Sequence, residues 1–107
     1  MRMDYVKHEI SGTELRLRFL TDELVFNTTS FILEFIEKTL QSSKADRIIL
    51  DLDSVIQIDS SAAGMFISLK NSMKKSGKTL VFRGLSDGVR RILRYLEVDR
   101  FLELDAA

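Results

Sequence analysis

The sequence predicts an α/β fold with the element order ββαβαβαβ, a mixed and mostly parallel sheet of about five strands with helices packed on it. Aliphatic strand-like runs alternate with helical-period segments of about 10 to 17 residues, which implies right-handed crossovers between parallel strands. Only Ser11-Gly12-Thr13 separates the first two runs, too little chain for a crossover, so these two form an antiparallel hairpin. Proline is absent, so no element is interrupted by a missing amide donor.

Residues 4 to 10 and 14 to 20 read as the two hairpin strands, the second alternating Leu15, Leu17 and Phe19 against Arg16 and Arg18. Asn27 is placed to cap a helix running to about Ser43, with Phe31, Ile32, Phe35, Ile36 and Leu40 on its apolar face and Phe26 stapling onto Phe31. Arg47 to Leu52 carries Ile48-Ile49-Leu50 without alternation, the pattern of a central strand buried on both faces. After Ile56-Gln57-Ile58, a helix follows Asp59-Ser60-Ser61 and runs to about Ser76, with Ala62, Phe66, Leu69 and Met73 in one stripe and Gly77 as its stop. Thr79 to Phe82 is the next strand, Ser86 caps a helix that buries Val89, Ile92, Leu93 and Leu96, and Arg100 to Leu104 makes a last short strand.

At 107 residues, 45% hydrophobic and 30% charged, the chain has the size and composition of one domain with one core, spanning residues 1–107. It has no cysteine and one histidine, His8, which removes disulfides, thiolate metal sites and histidine clusters, and no cofactor is expected. The charged first ten residues hold no apolar signal core, and no apolar run approaches a membrane span, so a cytoplasmic protein without membrane association is expected. Sixteen basic and sixteen acidic residues cancel, but between Lys70 and Arg94 eight cations face one acid, Asp87. Such a stretch could bind nucleic acid. The expected arrangement is instead that Lys70, Lys74 and Lys75 complement a helix C-terminus while Arg90, Arg91 and Arg94 face water, with no nucleic-acid partner.

Ser76-Gly77-Lys78-Thr79 looks like the end of a phosphate-binding loop, but it follows a helix, so it presents a C-terminus and serves as a stop. Asp51, Asp53 and Asp59 gather near one end of the central strand, without the acidic pair and lysine of a phospho-accepting aspartate site, and are expected to serve turns and caps rather than a metal. His8 is the only candidate base for a nucleophilic serine, and no Gly-x-Ser-x-Gly elbow exists, so an enzyme is not expected.

Asp59-Ser60-Ser61-Ala62-Ala63-Gly64 is different. Ser60 is expected as the N-cap, which leaves Ser61 as the first helical residue with an outward hydroxyl. At 100° per residue Ser61, Gly64, Ser68 and Asn71 share a face of small side chains that admits close contact. With this segment in this element order the chain resembles the STAS domain family, in particular the small bacterial anti-sigma-factor antagonists. Further residues that carry the resemblance are Leu20 to Leu24, Ile48 to Leu52, Arg90 to Leu93 and Val98 to Phe101.

The resemblance implies a phosphorylation-switched interaction module. Unmodified, it binds an anti-sigma factor that is also a serine kinase of the GHKL type; phosphorylation at Ser61 releases it, and a serine phosphatase reverses the change. The alternative within the family is a constitutive docking subunit of a transporter or signalling scaffold. The partner surface is expected to include Asp59, Ser61, Ala63, Gly64, Ser68, Val25, Phe26 and Asn27. Ala62 and Ala63 stand where the family usually has glycine and leucine, Asp22 where it has glycine, and Val25 where it has aspartate. These departures imply a retained switch with an altered recognition surface.

Overall fold

In the computed structural model, which describes residues 5–104, the hairpin forms as the spacing requires. Strands β1 (Val6–Ser11) and β2 (Glu14–Phe19) pair antiparallel around a two-residue turn in which Gly12 takes the left-handed conformation. Residue 4, where the first strand was expected to start, and residues 105–107 of the expected domain lie outside the described residues. The remaining elements are β3 (Glu23–Leu24), α1 (Phe26–Gln41), β4 (Arg47–Asp51), β5 (Gln57–Ile58), α2 (Ser60–Lys75), β6 (Thr79–Arg83) and α3 (Asp87–Tyr95). One four-stranded sheet has the order β1-β2-β4-β6, with β2, β4 and β6 mutually parallel; β3 and β5 form a separate parallel pair.

The mixed α/β architecture is the expected one, but the last strand is not formed. Residues 98–104 fold into turns, closed by Leu102 N–H to Val98 O at 3.0 Å and Leu104 N–H to Asp99 O at 3.1 Å. Leu102 and Leu104 are buried, and this period-two burial imitates a strand in the sequence. Three cations hold the segment down. Lys70 is buried, with its ammonium 2.6 Å from Glu103 and donating to Leu80 O at 3.3 Å; Lys74 lies 4.9 Å from the Phe101 ring centre; Arg90 donates to Leu104 O at 3.0 Å. Lys70 is therefore engaged by Glu103 and Leu80 O rather than only complementing the helix end, and Arg90 is half-buried on Leu104 O rather than facing water, whereas Arg91 and Arg94 are exposed as expected.

Register decides what each sheet face carries. Leu15, Leu17 and Phe19 share one face with Ile48, Leu50 and Leu80, and this face joins the core under the helices. The opposite face presents Glu14, Arg16, Arg18, Arg47, Asp51 and Arg83, knitted by Arg47–Glu14 at 3.3 Å and Arg18–Asp51 at 3.7 Å. Ile49 lies on this charged face, opposite Arg16 and Val81, and is only 1% exposed although it is outside the core cluster. Burial of β4 on both faces thus holds, but its second cover comes from neighbouring side chains such as the arginine stems rather than from a helix.

The helices bury the spacings their sequences contain, with two corrections in α1. Thr29, Ile32, Ile36 and Leu40 form its buried stripe, while Phe26 and Phe31 are 75% and 62% exposed, so the staple between them is not formed. Helix α1 also starts at Phe26, one residue ahead of the expected Asn27 cap, with Val25 in the cap position and offering no side-chain acceptor. In α2 the expected stripe is buried together with Ala63 and Met65, and the helix stops as expected: Gly77 is left-handed, with Lys78 N–H on Met73 O at 2.8 Å. Ser86 caps α3 through Val89 N–H at 3.1 Å; Val89 and Leu93 are buried as expected, Ile92 is half-buried against the core, and Leu96 is 36% exposed rather than buried.

Gly84 follows β6 at φ +72°, where an added Cβ would lie 2.9 Å from the Asp53 backbone nitrogen. Both the left-handed backbone and the close approach penalise a side chain. Gly84→Ala is expected to lose more than about 1 kcal/mol in urea unfolding, on the scale of the left-handed penalty alone; a variant as stable as the parent would contradict this packing.

Candidate functional site

The N-termini of α1 and α2 meet because both helices leave the same parallel ribbon. Leu24 pairs with Ile58, α1 begins two residues after Leu24, and α2 begins two residues after Ile58. Asp59 N–H donates to Leu24 O at 3.2 Å and keeps the two exits together. The Asp59 carboxylate then caps both helices. Its Oδ1 accepts from Ser61 N–H at 3.0 Å and Ala62 N–H at 3.3 Å, and its Oδ2 accepts from Phe26 N–H at 2.9 Å.

Ser61 completes a ring of polar contacts between the helices. Its hydroxyl donates to Asp59 Oδ1, and its Oγ accepts from Thr29 Oγ1 at 3.1 Å. Burial pushes the Asp59 carboxyl up, but the Ser61 hydroxyl and the amides of Phe26, Ala62 and Ser61 outweigh this and hold it below the usual aspartate range. Beside the ring lies a groove of about 480 Å³, floored in part by Ser61 and Gly64 and walled by Phe26, Asn27 and Phe31. An added Cβ on Gly64 would meet nothing within 4 Å, so this stretch of α2 is open to close approach.

The expected site residues divide accordingly. Asp59, Ser61, Gly64, Phe26 and Asn27 come together, with Val25 half-buried just before α1. Ser68 is half-buried two turns further along α2 and does not line the groove. Ala63 is 4% exposed, belongs to the core and does not line the groove. The roles of the paired serines also change: Asp59 is the N-cap, Ser60 is an exposed first helical residue, and Ser61 is engaged rather than free. The reason is geometric, because Asp59 is the residue still in extended conformation, with φ −121°, and its carboxylate offers two acceptor oxygens where a serine offers one.

Asn27 does not cap α1 because the chain is already helical at Phe26 and Asp59, from a distant part of the sequence, supplies the acceptor. Thr29 is the member of the polar ring that sequence reasoning missed. Its signal was a threonine in register with Ile32 and Ile36, a polar group on a buried stripe that must find a partner. Elsewhere, Asp51 pairs with Arg16 and Arg18 and accepts from Asp53 N–H, while His8 is exposed with its ring 6.4 Å from that of Phe35.

The STAS domain family model matches residues 7–107, and the chain belongs to this family. Its fold is that of the anti-sigma factor antagonist SpoIIAA in its unphosphorylated form, with TM-score 0.74 at 16% identity over 87% of this chain and 81% of that one. The phosphorylated form of the Bacillus protein matches at TM-score 0.68 and 16% identity over 89% and 86%. A putative anti-sigma factor antagonist from Thermotoga maritima matches at TM-score 0.75 and 18% identity over 91% and 82%. A sulfate transporter family protein from Wolinella succinogenes is similar to the same extent, TM-score 0.74 at 17% identity over 88% and 75%.

The double cap separates three substitutions. Asp59→Ala is expected to cost about 2 kcal/mol, two caps of about 1 kcal/mol each, and Asp59→Asn about half of that because its one carbonyl serves one helix; Ser60→Ala should stay within about 0.5 kcal/mol. Thermal and urea unfolding give the order, and a Ser60→Ala loss as large as that of Asp59→Ala would overturn the assignment. The lowered carboxyl also makes the parent pH-sensitive. Its contribution is complete above the unfolded-state value of about 4 and is lost as pH falls through the lower folded value. Asp59→Asn should remove that part of the acid limb.

Proposed function

We propose that this STAS domain is an anti-sigma-factor antagonist, a non-enzymatic interaction module whose binding face is switched by phosphorylation of Ser61. The observation that carries the reading is the placement of Ser61: a hydroxyl at the N-terminus of α2, on the floor of a groove with no charged lining residue, beside a helix surface left open by Gly64. Unmodified, the face built from Ser61, Gly64, Phe26, Asn27 and Val25, with Asp59 beneath it and Ser68 at its margin, docks on a kinase of the GHKL type that is also an anti-sigma factor. The kinase transfers the terminal phosphoryl group of ATP to Ser61 Oγ, ADP leaves, and the hydroxyl proton, already directed at Asp59, is released. A serine phosphatase restores the hydroxyl by hydrolysis.

The physical basis of the switch is that fold and interface respond differently to the same charge. A phosphoserine adds about −1.5 to −2 charge. At a helix N-terminus the dipole favours an anion by about 0.3 to 1 kcal/mol, so the fold accommodates it even though Asp59 already accepts from the Ser61 and Ala62 amides. In a closed interface an unpaired anion is costly to desolvate, and Asp59 repels it. A loss of about 3 kcal/mol would change the dissociation constant by roughly two orders of magnitude.

A second reading is a constitutive docking subunit, supported by the similarity to a sulfate transporter family protein and by the Ser61 hydroxyl being satisfied on both sides by Thr29 and Asp59. The intact mass of protein isolated from its native cells separates the two: one added phosphoryl group, mapped to Ser61, is expected for the switch. Its absence under all growth conditions, with Ser61→Ala binding like the parent, selects the constitutive reading. Under the switch reading Ser61→Ala stays bound permanently to the kinase in the presence of ATP.

Gly64 provides an independent test of the face. Gly64→Leu should keep the fold and gain up to about 1 kcal/mol of helix propensity, while its bulk blocks docking. Circular dichroism and pull-down of the partner from native lysate read the two effects together, and undiminished capture would move the interface elsewhere.

A further inference from the structure

The four-stranded sheet has two edges, β1 and β6, and the β6 edge lies in a groove of about 560 Å³ on a different part of the molecule from Ser61. All six consecutive residues 79–84 line one wall, and Arg90 with residues 102–104 forms the other. Thr79 N–H bonds Asp46 O at 2.9 Å and Arg83 O accepts from Leu52 N–H at 2.8 Å, so residues 79, 81 and 83 direct their backbone groups toward β4. Backbone direction alternates along a strand, so Leu80 and Phe82 direct theirs outward, into the groove. Lys70 covers Leu80 O at 3.3 Å; among the described residues no hydrogen bond is found to the Leu80 N–H or to the Phe82 N–H and C=O.

Charge narrows what fits. Four cations, Arg47, Lys70, Arg83 and Arg90, line the groove with one carboxylate, Glu103, which is taken up by Lys70 at 2.6 Å; Arg47 shares its charge with Glu14 at 3.3 Å. Arg83 is exposed on the outer face of β6, at the end of the groove beside Gly84. We propose that the β6 edge is a strand-addition site for an extended acidic segment of a partner protein. Backbone groups of the segment pair with Phe82, alternate acidic side chains reach Arg83 and its neighbours, and the intervening side chains lie over Leu80, Phe82 and Leu102.

The same observations disfavour the other occupants. A second copy adding edge to edge would bring one set of these cations against the other, the usual guard of an exposed edge. A nucleic acid would satisfy the cations, but its backbone has no amide ladder to pair with the Phe82 N–H and C=O.

The test uses a fluorescein-labelled heptapeptide alternating valine and glutamate, its lysine counterpart, and a glutamate version N-methylated along its pairing edge. Anisotropy should show the glutamate peptide binding at least about tenfold more tightly than either control, and Arg83→Glu weakening it about tenfold, each tenfold being about 1.4 kcal/mol. Amide hydrogen exchange at Phe82 should slow in the complex, while the Ser61 region is unaffected. Equal binding of the lysine or N-methylated peptide overturns the proposal, as does unchanged Phe82 exchange. So do sedimentation showing a dimer closed through this edge, tighter binding of a single-stranded oligonucleotide, and peptide binding only after removal of residues 105–107.

Discussion

One carboxylate sets the geometry of the site. Two helices leaving a parallel two-stranded ribbon necessarily bring their N-termini side by side, with unpaired amides and positive dipole ends converging. Two such ends left uncapped would leave several backbone amides without acceptors at one place. Asp59 caps both from one position, because its two oxygens diverge enough for one to serve α2 and the other to serve Phe26 of α1. The ribbon brings the helix exits together, and the shared cap then holds the Phe26 amide and the Ser61 hydroxyl on one carboxylate.

The rest of the sheet is asymmetric for a related reason. The helices supply apolar cover to one face only, so the other must be solvated or roofed by its own side chains. Cross-strand arginines and carboxylates achieve both: Arg16 and Arg18 converge on Asp51, Arg47 on Glu14, and Ile49 is hidden among them. A fully buried central strand therefore does not require a two-sided layer of helices, which is why the unbroken Ile48-Ile49-Leu50 run is compatible with a sheet open on one side.

Much of this was legible in the sequence because the elements have strong local causes. The hairpin turn at Gly12, the stops and caps at Gly77 and Ser86, and the stripes in α1 and α2 are written in residues within a few positions of where they act. What escaped depends on contacts between distant positions. The α1 cap is supplied from 33 residues away, Thr29 finds Ser61 from 32 residues away, and Lys70 is buried because residues 102–104 fold back over it. Periodicity also misled where two causes give one pattern, as in residues 100–104, whose alternating burial comes from turns. Phe26 and Phe31 are apolar without being core, a distinction no propensity scale carries.

The same geometry reassigns the departures from the family pattern. Ala63 stands where the family often has a leucine, and in this chain its side chain is buried in the core. Val25 and Asp22 differ in kind, since both belong to the approach to α1: Val25 O accepts from Thr28 and Thr29, and Asp22 O accepts from Ile56 and Gln57. These backbone bonds do not depend on the side chains carried at 22 and 25, so a change of side chain at either position leaves the shared cap behind them in place. The site thus sets a polar ring of Asp59, Ser61 and Thr29 beside an exposed apolar rim of Phe26 and Phe31. Charge placed on the ring would act on whatever covers this groove, because Ser61 and Thr29 of the ring and Phe26 and Phe31 of the rim line it together.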